Sequence, residues 1–160
     1  MFTEYEYLSA VREFLLAYPY SAPYDAILID HEQIVQSRGS DKQGAGAALM
    51  LTGDTIISTR RNVIGREIHN KRVNFALVLW RATNDDELRR DIANALTRLI
   101  GWVNAENAKR KTKEANPALP KFSMTDTETI SATGGIKTMI LDGGRSEYQV
   151  QIHCDYQIVY

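Results

Sequence analysis

The chain has little of what most enzyme chemistry uses. Its single cysteine, Cys154, stands among 160 residues. It cannot close an internal disulfide, so nothing asks for an oxidising compartment. It falls on the apolar side of the last strand and reads as a buried, inert thiol. The three histidines, His31, His69 and His153, are never four apart on a helix and never near the cysteine at metal-ligand spacing. No Gly-x-Ser-x-Gly elbow offers a nucleophile. "GAGAALMLTGD" has a Gly-x-Gly but no third glycine at dinucleotide spacing and no Gly-Lys-Ser/Thr, so it reads as a flexible loop. "DHE" at Asp30 to Glu32 closes a short strand and lacks a second carboxylate cluster for a metal. Asp85, Asp86 and Glu87 are explained by a helix start. No catalytic, cofactor-binding or metal-binding residue is expected.

Other absences bound the class of protein. Nineteen basic side chains against 20 acidic ones leave a net charge of -1. A general nucleic-acid or membrane binder would usually show a basic excess. No apolar run approaches the roughly 18 residues of a membrane span, and the N-terminus lacks a basic-then-apolar signal. The expectation is a soluble, intracellular chain forming one domain over residues 1–160, with an ordinary globular content of 44% hydrophobic and 24% charged residues.

What is present is periodicity. "TEYEYLSAVREFLLAYPY" predicts a helix: Thr3 and Glu6 have capping-box spacing, Tyr7, Val11, Phe14 and Tyr18 form a stripe, and Leu8 and Leu15 widen it. Pro19 and Pro23 stop it. "YDAILID" reads as a short strand, and a Gly/Ser/Asp/Lys loop follows around Ser37 to Gly46. "TIISTRRNVIGREIHNKRVNFALVLWRA" reads as extended, most firmly at Val73 to Trp80. There Phe75, Leu77 and Leu79 share one face, and Ala76, Val78 and Trp80 share the other. Such a strand lies mid-sheet between packing layers. A second helix is predicted from Asn84 to about Asn104 on the stripe Leu88, Ile92, Ala95, Leu96, Leu99, Val103. "NPALPKF" connects to two strands, roughly Thr125 to Ser131 and Gly135 to Leu141, and "DGG" turns into the last strand. The order of elements predicts an α+β fold, a mainly antiparallel sheet with two principal helices packed on one face.

"SEYQVQIHCDYQIVY" carries the clearest pattern. Tyr148, Val150, Ile152, Cys154, Tyr156, Ile158 and Tyr160 alternate with Gln149, Gln151, His153, Asp155 and Gln157. The ribbon would span roughly 43 Å at about 3.3 Å per residue, whereas a compact domain of this size is about 39 Å across. It therefore bends at a bulge or meets a neighbour, and an exposed terminal strand invites pairing. Gln149, Gln151, His153 and Gln157 are the candidate subunit-interface residues. The simpler alternative is one strand of a half-exposed sheet in a monomer. Lys109, Arg110, Lys111 and Lys113 are the candidate contact to DNA or an acidic partner, although a solvated helix end also accounts for them. Arg60, Arg61, Arg66, Lys71 and Arg72 form a looser basic group around the middle strands.

The layout resembles a known family. After an N-terminal helix come "NKRVNFALVLWRATNDDELRRDIANALTRLIGWV", the connector "NPALP", and a hairpin ending in "EYQVQIHCDYQIVY". This looks like the minor capsid and tail-terminator (neck) proteins of long-tailed bacteriophages and prophages. In these, a Phe-x-Leu-x-Leu-like strand leads into a helix with a Leu-x-x-Trp-like element, here Leu99 to Trp102, and a Tyr-x-Val-x-Ile-like strand closes the chain. The resemblance implies a non-enzymatic virion protein assembled in the bacterial host cytoplasm. It would form a homo-oligomeric ring, commonly of six, that caps the tail-tube protein and meets head-connector proteins, with DNA in transit through the lumen. The loop after Ser37 and the segment at Lys109 would order only beside neighbours. The alternative is a non-enzymatic small-ligand or regulatory binding module; a metal enzyme built on Asp30, His31 and Glu32 is a third.

Overall fold

The computed structural model describes residues 4–20, 24, 26–29, 46–82, 86–110, 129–141 and 145–160. In chain order they form α1 (Glu4–Leu16), β1 (Gly46–Arg61), β2 (Glu67–Ala82), α2 (Asp86–Arg110), β3 (Thr129–Leu141) and β4 (Arg145–Val159). The fold is α+β. Its four-stranded sheet has the order β1-β2-β4-β3, antiparallel at every pairing, and both helices pack on one face.

The helices form where the apolar stripes predict them. Leu8, Val11, Phe14, Leu15 and Tyr18 are buried from α1 and the residues just after it. Ile92, Leu96, Leu99 and Val103 are buried from α2. These meet Leu49, Val73, Phe75, Leu77, Leu79, Ile130, Ala132, Tyr148, Val150, Ile152 and Cys154 in one core. Trp102 ties the helices together, with its ring 4.8 Å from Phe14 and 5.2 Å from Tyr18. Helix α2 runs to Arg110, further than its apolar stripe predicts. Lys109 and Arg110 therefore end the helix instead of following it.

Strand β2 is apolar on both faces for the expected reason. Val73, Phe75, Leu77 and Leu79 face the helices, while Ala76, Val78 and Trp80 join Ala48 in a smaller buried cluster on the opposite face, with Leu28 and Met50 against it. "GAALMLTGD" is not a loop: Gly46 opens β1, and Ala47, Ala48 and Leu49 are buried. Small side chains there allow close packing on both sides of the sheet. "YDAILID" is not a strand of its own. Leu28 makes one parallel bridge to β1, its N–H donating to the Ala47 carbonyl (3.0 Å) and its carbonyl accepting from Leu49 N–H (2.9 Å).

The two strands expected between Thr125 and Leu141 are one, β3. Gly134 is a bulge within it, at φ 99°, and the pairing with β4 shifts register between Gly134 and Ile136. Only glycine adopts that φ without strain, so a residue pair that suggests a turn here bends a continuous strand.

The largest correction concerns the C-terminal ribbon. Strand β4, Arg145–Val159, has 15 residues, slightly longer than the 13 from Tyr148 to Tyr160 that its alternation marks, but it is an interior strand. It pairs with β2 from Arg145 to Val159 and with β3 from Arg145 to Asp155. A strand with neighbours on both sides has already used its N–H and C=O groups over that length, so it cannot dock another chain by edge pairing. Among the described residues, its last four, Tyr156 to Val159, pair with β2, and the sheet edges are β1 and β3.

Candidate assembly surfaces

The period of two puts Gln149, Gln151 and His153 on the sheet face opposite the helices, as the alternation requires. The structure brings these three together, but on a half-buried surface with internal partners. Gln151 Nε2 donates to Gln149 Oε1 at 3.3 Å. Asn74, opposite His153 on β2, donates through Nδ2 to the Gly53 carbonyl at 3.4 Å. Its Oδ1 then accepts from His153 Nδ1–H at 2.7 Å, which places the neutral ring's proton on Nδ1. Burial holds the His153 pKa below its ordinary 6.5, and the nearby Arg72 charge adds to this, partly offset by Asp155. Arg72 and Asp155 face each other as a bidentate pair, Nε to Oδ1 at 2.8 Å and Nη2 to Oδ2 at 3.0 Å. The carboxylate in turn raises the Arg72 pKa. At the other end of this face, Trp80 Nε1 donates to the buried Glu147 carboxylate at 2.9 Å. Gln157 belongs to β4, but its side chain lies outside the described residues.

Both sheet edges are covered where the core is thickest. On β1 the cover is the Leu28 bridge. On β3 it comes from α2. Asn104 Nδ2 donates to the Ala132 carbonyl (3.1 Å), and Asn104 Oδ1 accepts from Ala132 N–H (3.0 Å). One turn on, Asn107 Oδ1 accepts from Ile130 N–H at 3.1 Å. The two amides thus take the place of a fifth strand. Further along β1, register shifts between Leu51 and Gly53 and between Ile56 and Ser58 interrupt regular pairing, a feature that discourages edge-to-edge association.

Among the described residues, the least covered apolar side chain is Val63, at the far end of the sheet where β1 turns into β2. The turn is tightly held. Asn62 N–H donates to the Arg66 carbonyl (2.9 Å), Gly65 N–H donates to the Asn62 carbonyl (3.0 Å), and Asn62 Oδ1 accepts from Ile64 N–H (3.1 Å) and Arg66 N–H (3.0 Å). Gly65, at φ 82°, supplies the left-handed residue that closes it. This fixed loop holds Val63 wholly exposed and Ile64 71% exposed, with Arg60, Arg61 and Arg66 exposed beside them. Glu67 moderates the charge, 3.7 Å from Arg61 and 3.1 Å from His69 Nε2. Sequence reasoning placed these arginines in a loose group around extended structure and missed the turn. An asparagine and a glycine three residues apart, between extended runs, were the available signal.

Of the other basic candidates, Lys109 and Arg110 are the last residues of α2 and their side chains lie outside the described residues; so do Lys111 and Lys113 altogether. His31 and the loop after Ser37 also fall outside them. Among the described residues, no three His, Cys, Asp or Glu side chains gather as a metal site, and no helix is long and apolar enough to cross a membrane. Cys154 is fully buried in the core. Compared with known proteins, the chain matches no family model and no curated protein sequence.

Proposed function

We propose that this chain is a structural, ring-forming subunit of a long-tailed phage or prophage virion, of the tail-terminator or minor-capsid kind. It assembles in the host cytoplasm, caps the tail tube, and presents a surface to the head connector, with DNA passing through the lumen. The observation that supports the reading is the hairpin tip. A turn held by four hydrogen bonds displays two aliphatic side chains to solvent at the end of strands 16 residues long. A rigid apolar projection of this kind suits docking on another protein better than it suits catalysis. The helix-covered core and the internally paired polar face fit a rigid building block. A closed ring needs a head-to-tail contact whose rotation closes, commonly with six copies in the family that the sequence resembles.

Light scattering over a range of concentrations, alone and with tail-tube protein, tests this. The expected result is a discrete oligomer, formed or sharpened by the tube. A chain that stays monomeric and ignores the tube would remove the proposal.

A further inference from the structure

We draw no further inference here: the strongest candidate, the exposed Val63–Ile64 tip of the β1–β2 hairpin with Arg60, Arg61 and Arg66 beside it, belongs to the surface already described, and nothing in the structure shows what covers it.

Discussion

His153 is hydrogen-bonded to Asn74, lies across from Ser131 on β3, and is flanked on the same face by Arg72, Asp155 and Gln151. Since its pKa is held below 6.5, the folded chain refuses a proton that the unfolded chain accepts. Above 6.5 both states are neutral there and the residue contributes no pH dependence. As pH falls through 6.5 the unfolded state binds more protons, so stability drops until the folded value is reached. Urea midpoints at about pH 7.5 and about pH 5.5 should therefore differ more in the wild type than in His153→Asn. An equal slope in both would refute the assignment. Glu147 makes a second residue-scale case. Glu147→Ala takes the acceptor from the buried Trp80 N–H and should cost about 1–3 kcal/mol in chemical unfolding, whereas Glu147→Gln keeps an acceptor and should cost less.

At the scale of elements, the helix–strand seam is the informative case. Asn104 satisfies both backbone groups of Ala132 on the outer edge of β3, and each bond contributes about 0.5–1.5 kcal/mol. Asn104→Ala should lower stability by the sum of those two and speed amide exchange at Ala132, with the interior strands β2 and β4 unchanged. It should also leave an open edge, so that aggregation on mild heating increases relative to wild type. Unaltered exchange at Ala132 would show that solvent serves the edge equally well. The apolar stripes of α1 and α2 were legible because a period near 3.6 reports burial directly. An amide that substitutes for a strand has no such period, and Asn104 read in sequence only as the end of the stripe.

Across the whole molecule, the proposed function puts assembly at the end of the sheet away from the residues that carry stability. Leu77 is fully buried between β1, β4 and the helix layer, so Leu77→Ala should cost about 2–5 kcal/mol. Ile64→Ser at the tip should fall within about ±0.5 kcal/mol in the same unfolding experiment, yet reduce oligomer mass. If both variants altered stability alike, the tip would be part of the fold and the separation would fail.

Alternation and helical period along the chain determined which residues are buried, that two helices cover one face, and that β2 and β4 are long. Each of these follows from where a side chain points relative to its sequence neighbours. The order of strands was not legible, because pairing is settled by contacts between segments far apart in sequence. A long apolar-and-polar ribbon at the terminus reads the same whether it is an edge or a centre. Only the tertiary structure placed β4 between β2 and β3, gave Gln149, Gln151 and His153 partners within their own chain, and left Val63 wholly and Ile64 mostly exposed at the β1–β2 turn.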